Sequence, residues 1–213
     1  MPKIRTGRQK FYNVFSYFYD YFIKIHSGRH SDETRKFLVD SARIKDTTQV
    51  RVLDICCGTG SVVLSFAEKY ADALAIGYDF SVGMLRKTKK KDVAQKIILV
   101  NGDAAYLSFA DECFEVVCCS HALYELKGQV RTDALIEMKR VVKPGGQVLI
   151  MEHEVPKKFA IKMMFYIRML MMGPTDSREF LKQGLTPFKK IFTDVTLSHT
   201  PSGKSKLIIC RKM

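Results

Sequence analysis

Between residues 50 and 152 the chain alternates short apolar runs with stretches of helical periodicity. The apolar runs fall near 50–55, 73–78, 96–100, 114–119 and 146–152, are rich in β-branched residues and end in glycine or polar residues, so they predict strands. The periodic stretches near 60–70, 81–91 and 129–142 predict helices. Strands alternating with helices imply an α/β fold built on a mainly parallel, doubly wound sheet. Toward the end, Ile191 to Leu197 and Ser205 to Arg211 predict an antiparallel strand pair. Upstream, the aromatic run Phe11 to Phe22 predicts a helix, and the basic residues 1–10 before it read as a mobile tail. A second N-terminal helix is expected from about Asp32 to Ile44, with Ser31 as N-cap and Asp32 and Glu33 in its first turn, where acids complement the helix dipole.

The stretch Val50 to Gly60 concentrates the chemistry. A buried-type strand ends in Asp54-Ile-Cys-Cys-Gly-Thr-Gly60 and opens a helix, which brings free backbone N–H groups and a positive dipole end to one place. Glycine is required where φ is positive or where a ligand approaches the backbone closely. The second strand ends in Gly77-Tyr-Asp79-Phe80-Ser81, and an acid at that tip is placed to accept hydrogen bonds from a ribose. A nicotinamide or flavin fingerprint wants a small residue where Val63 stands, and it lacks the extra carboxylate of Asp54 before the turn.

Five segments then occur in one order: Asp54 to Gly60, Gly77 to Leu85, Asn101 to Ala104, Leu107-Ser-Phe109 with Phe114 to Val117, and Lys143 to Ile150. Together they resemble the motifs of class I S-adenosylmethionine-dependent methyltransferases, with Cys56 in place of the first motif's first glycine. The resemblance implies a Rossmann-like seven-stranded sheet and S-adenosylmethionine as cofactor, released as S-adenosylhomocysteine. It implies that Asp54, Cys56, Gly58 and Gly60 form the cofactor loop and that Asp79 binds the ribose. Phe80 would lie against the adenine, Asp103 would accept from its amino group, and the Ala104 amide would meet a ring nitrogen. Met84 and Ser120 belong to the same expected cofactor set. The segment with Tyr12, Ser16, Tyr19 and Asp20 is similar to one by which small-molecule members cover the methionine end of the cofactor; Asn13 departs from that pattern, and a plain amphipathic core helix is the competing reading.

Open parallel sheets bind ligands beyond the carboxyl ends of their strands. Ser120, His121, Tyr124 and Glu125 after the fourth strand, and Glu152, His153 and Glu154 at the end of the fifth, are therefore expected to face the methyl acceptor. A base that titrates near neutrality suits deprotonation of an acceptor, which favours His121 and His153, with Tyr19 as a third catalytic candidate. Lying between two carboxylates, His153 would have its charged form favoured. No Asn/Asp-Pro-Pro-Tyr or Pro-Cys segment follows the fourth strand, so the DNA and RNA N6-adenine and cytosine C5 chemistries are not indicated.

Lys157 to Met172 is apolar, rich in methionine and dotted with Lys157, Lys158, Lys162 and Arg168. It is too short and too charged to span a bilayer, which takes about 20 apolar residues. It reads as a lid over an oily pocket or as a surface attracted to anionic membrane. The order Glu154-X-Pro156, aromatic helix, Gly173, then Ser177 to Leu181 resembles ubiquinone and menaquinone C-methyltransferases, and more loosely phospholipid N-methyltransferases. The implied acceptor is small and lipophilic, a quinol ring carbon first and a phospholipid amine second. The formal charge of +13 calls for an anionic surface, and without a recognition domain or target-base motif nucleic acid is not the expected partner. Six cysteines without Cys-X-X-Cys spacing predict reduced, buried thiols and no metal site. No signal peptide is read at the start, since Lys24 and His26 interrupt the first apolar cluster, and the expected location is cytoplasmic, or membrane-peripheral. One domain is expected, with a helical cap (1–45), a cofactor core (46–152), a helical lid (153–188) and a strand pair (189–213); no oligomeric state follows from the sequence.

Overall fold

The computed structural model describes residues 3–27, 30–44, 49–155, 163, 165–166 and 177–213. The chain divides into two compact units, Met1–Ala104 and Ala105–Met213. The first contains α1 (Lys3–Ser27), α2 (His30–Ser41), β1 (Arg51–Ile55), α3 (Ser61–Lys69), β2 (Leu74–Asp79), α4 (Val82–Lys91) and β3 (Ile97–Asn101). β2 pairs in parallel with β1 from Arg51↔Leu74 to Ile55↔Tyr78, and with β3 from Ala75↔Ile97 to Asp79↔Asn101. Every residue of β1 after Arg51 is buried, as expected of a parallel strand covered on both faces, and this is why the sequence shows an unbroken run there rather than an alternation. α3 buries Val62, Val63, Phe66 and Ala67; Val63 and Ala67 pack with Ala75 of β2. α4 is capped by the Ser81 hydroxyl, which accepts the Met84 N–H, and ends in the exposed Lys89, Lys90 and Lys91, where cations complement the dipole.

Two N-terminal expectations are corrected. Residues 3–10 belong to α1 rather than to a mobile tail, and Gln9 is tied to the fold by donating from Nε2 to the Phe80 carbonyl. Ser31 lies within α2 instead of capping it, and that helix closes at Ser41, whose hydroxyl turns back onto the Phe37 carbonyl.

The second unit contains β4 (Phe114–Ser120), a 3-10 turn (Leu123–Glu125), α5 (Gly128–Val141), β5 (Val142–His153), α6 (Ser177–Lys182), α7 (Thr186–Lys189), β6 (Asp194–His199) and β7 (Ser205–Arg211). The strand order is β3-β2-β1-β4-β5-β7-β6 in a seven-stranded sheet. β5 is parallel to β4, whereas β7 is antiparallel to both β5 and β6. Between Phe114↔Val142 and Val116↔Gln147 the register shifts, so Lys143-Pro-Gly-Gly146 bulges out of β5. β6 begins three residues later than the hydrophobic pattern suggested, because Phe188 and Phe192, each 1% exposed, first turn inward around α7.

Of the expected lid Lys157–Met172, only Met163, Phe165 and Tyr166 are described, all helical; Lys157, Lys158, Lys162, Arg168 and Gly173 lie outside the described residues, as does the Asp20 side chain. No helix among the described residues is long and apolar enough to cross a membrane.

Candidate active site

In the first unit, the β1–α3 loop is held by backbone and carboxylate contacts. Cys56, Gly58 and Gly60 all have positive φ, at 56°, 55° and 79°. Cys56 thus adopts the left-handed conformation that the first motif reserves for glycine, at a cost of about 1–2 kcal/mol for a residue with a Cβ. A side chain at Gly60 is further barred by space, since a Cβ there would stand 2.2 Å from the Thr88 methyl. The Thr88 hydroxyl donates to the carbonyls of Gly58 and Met84, which binds the loop to α4. Asp54 is 1% exposed and accepts the Val63 N–H at 3.1 Å, so this acid anchors the first turn of α3.

Asp79, 4% exposed, accepts the Gly58 N–H on one oxygen at 2.9 Å and the Ser81 N–H on the other at 2.8 Å. A Cβ on Gly58 would meet nothing within 4 Å, so the loop backbone there is open to close approach by a ligand. Phe80 is half-buried and meets the edge of Tyr12, ring centroids 5.7 Å apart. Asp103 is half-buried after β3, with its carbonyl accepting from the Tyr78 hydroxyl; Ala104 is buried beside it. Gly102 is forced by this arrangement, since its Cβ would fall 1.8 Å from the Tyr78 oxygen. Met84 is buried within α4, and Tyr19 sits half-buried on α1 with its ring 5.7 Å from Phe15. Burial, with Asp79 and Asp54 adding repulsion, pushes the Cys57 thiol well up, so Cys57 is a packing residue rather than a nucleophile.

In the second unit, a cluster of rings forms where β4, β5 and β7 meet. His121 follows β4 with φ 52° and its N–H donates to the Met151 carbonyl, so the strain is held by the neighbouring strand. Its Nδ1 is 3.1 Å from the Ser120 hydroxyl and its Nε2 is 3.0 Å from the Ser205 hydroxyl. The His153 ring lies 4.4 Å from His121, 5.6 Å from Tyr124 and 6.0 Å from Phe165. The expected pinch of His153 between carboxylates is corrected: Glu152 turns to accept the Tyr124 N–H at 3.1 Å, and Glu154 lies 3.3 Å from His199.

Glu152 is 1% exposed, and among the described residues its second oxygen has no hydrogen-bond partner. Burial raises its pKa to about 8, with the Tyr124 N–H and the Lys206 charge opposing the rise. From the other side, Arg131 donates to the carbonyls of Leu123, Tyr124 and Leu126, and its guanidinium stacks 4.1 Å from the Phe180 ring centroid. The 3-10 turn is thus clamped at both ends, which fixes Tyr124 against His153; the Tyr124 hydroxyl donates to Glu125.

Three residues escaped the sequence reading. Ser205 joins the imidazoles only through the β5–β7 register, His153↔Ser205, which no local spacing announces. Arg131 had a signal: it occupies the same buried stripe of α5 as Ala134, Leu135, Met138 and Val141, where a cation must have a polar partner. Asn13 was noticed only as a departure; its side-chain oxygen accepts from the Ser81 hydroxyl at 2.8 Å and the Gly83 N–H at 3.0 Å, which joins α1 to the start of α4.

The methyltransferase domain family matches residues 52–146. A demethylmenaquinone methyltransferase from Bacillus velezensis is 30% identical over 182 residues, 83% of this chain and 77% of that protein. Among solved structures, a protein of Methanococcus maripaludis described as an S-adenosylmethionine-dependent methyltransferase superposes with a TM-score of 0.66 at 17% identity, over 96% of this chain and 93% of its own. Human N-acetylserotonin methyltransferase, solved with S-adenosylmethionine, gives 0.64 at 16% identity over 90% of this chain and 55% of its own. The chain belongs to the class I S-adenosylmethionine-dependent methyltransferases. Within that class it is an enzyme related to the menaquinone-biosynthesis methyltransferases, and its methyl donor is S-adenosylmethionine.

Proposed function

We propose that the enzyme methylates a ring carbon of a small lipophilic quinol, taken from or near a membrane surface. The observation that carries this reading is the pair of imidazoles, His121 and His153, 4.4 Å apart at the ends of β4 and β5 and ringed by Tyr124 and Ser205. When bound, the sulfonium cofactor supplies an electrophilic methyl with a neutral leaving group, so alignment and activation of the acceptor are the protein's share. Asp79, Phe80, Asp103, Ala104 and the loop at Gly58 and Gly60 are the residues proposed to hold it, with Tyr12 and Tyr19 over its methionine end. Carbon methylation needs two proton removals: one from the quinol hydroxyl, to raise ring electron density, and one from the methylated carbon, to restore aromaticity. Two adjacent imidazoles suit that demand, because each ring nitrogen can accept one of the two protons. The name of the Bacillus velezensis relative, a demethylmenaquinone methyltransferase, supports the same acceptor class.

The test is turnover with a demethylated naphthoquinol and with an aminophospholipid. His121→Ala and His153→Ala are each expected to lower kcat by about 10²–10⁴-fold, as for loss of a general base. Binding of S-adenosylmethionine, followed by calorimetry, should change less than threefold. Methyl transfer to nitrogen alone, or full activity in the double variant, overturns the proposal.

A further inference from the structure

We propose that the outward face of α1 is the surface on which this enzyme rests against an anionic lipid bilayer. The helix carries apolar rings on two sides. Its inner side packs Tyr12 against Phe80 and Phe15 against Tyr19, and Gln9 and Asn13 tie it by hydrogen bonds to the Phe80–Gly83 corner. Its outer side presents Phe11, Val14, Tyr17 and Tyr21, which are 52%, 64%, 71% and 70% exposed. Spaced by three or four residues, they form one stripe roughly 15 Å long at 1.5 Å per residue. Contiguous exposed apolar groups of this kind mark an interaction surface rather than ordinary scatter. Two of the four are tyrosines, whose apolar ring and polar tip suit the headgroup level of a bilayer.

Charge selects the partner. α1 contains one acid, Asp20, against five cations, Lys3, Arg5, Arg8, Lys10 and Lys24, and α4, packed beside it, has no acid and carries Arg86, Lys87, Lys89 and Lys90. The Lys87 ammonium sits 5.3 Å from the Tyr17 ring centroid, so the basic rim reaches the aromatic stripe. An aromatic stripe with a lysine at its edge, on a basic helix packed against a second basic helix, has the pattern of interfacial helices that bind anionic lipid. The inference deepens the membrane-peripheral reading above and rests on it, but it assigns contact to α1 rather than to the Lys157–Met172 stretch.

Co-sedimentation with phosphatidylcholine vesicles, with and without phosphatidylglycerol, tests it on the full chain. The wild type should bind the anionic vesicles and be released by salt. The F11S/V14S/Y17S/Y21S variant and the R86Q/K87Q/K89Q/K90Q variant should each lose more than tenfold in partitioning, while calorimetry shows S-adenosylmethionine still bound, which certifies the fold. If the stripe variant partitions like the wild type, α1 is not the docking face although the peripheral reading stands. If the wild type binds no vesicle, the peripheral reading falls as well. A wild-type dimer that the stripe variant turns into a monomer, without vesicle binding in either, reassigns the face to self-association and also overturns the proposal.

Discussion

The β1–α3 loop and the imidazole cluster are built by opposite means. At the β1–α3 loop the working parts are main-chain groups: Gly58 and Ser81 amides on Asp79, the Gly58 carbonyl on Thr88, and positive φ at three positions out of five. At the ends of β4 and β5 they are side chains, His121, His153, Tyr124 and Ser205, drawn from residues up to 84 apart and held by the buried Glu152 and Arg131. Backbone chemistry allows few residue types, whereas a side-chain cluster can be rebuilt with others. The first region is thus constrained to few residue types, and the second is where we propose that acceptor choice resides.

The largest expected effect breaks the backbone side of that contrast. Gly60→Ala forces a Cβ into the left-handed region and against Thr88, so S-adenosylmethionine affinity should fall more than 100-fold and stability by about 2–4 kcal/mol. Calorimetric titration and thermal melting read both, and unchanged binding would refute the account of the loop. A second test sharpens the side-chain half. Glu152 has its folded pKa raised to about 8, above the unfolded value, so the folded state holds the extra proton between those values. Its favourable contribution is complete below the unfolded pKa and disappears as pH rises through about 8, where burying the ionised form destabilises the protein. Glu152→Gln should remove that loss, making the variant more stable than wild type at pH 9 by a few kcal/mol, on the order set by about 1.4 kcal/mol per pKa unit, and nearly equal at pH 5. Parallel melting curves for the two proteins across that range would show that Glu152 is not the titrating group. The smallest effect is expected at Cys56. Cys56→Gly relieves the strain of φ 56° but adds unfolded-state entropy, so the two changes offset to within about 1 kcal/mol, and cofactor affinity should hold.

The same division explains what could be read in advance. All seven strands and the helices α3 to α5 were legible, because short apolar runs, whether buried as in β1 or half-exposed as in β3 and β6, are set off by turns and by helical periodicity. Gly58 and Gly60 were legible as turn residues for that reason too, whereas the contact of Asp54 with the Val63 N–H was not. The start of α1 was missed because Lys3, Arg5, Arg8 and Lys10 look like a tail when tertiary contacts such as Gln9 to Phe80 are invisible. His121 and His153 were found by their place at strand ends, but their mutual contact, and the diversion of Glu152 and Glu154 to Tyr124 and His199, depend on which way each side chain turns. Ser205 was out of reach, since a hydroxyl 84 positions from its imidazole leaves no trace in spacing.

The reversed direction of β7 has its own effect on the chemistry. A strand that runs with its neighbours can offer the rim only the residues at its finish, reached after a long crossover. Because β7 runs the other way, its opening residue, Ser205, arrives at the rim where β5 closes with His153, and a hydroxyl joins the imidazoles without any loop being lengthened.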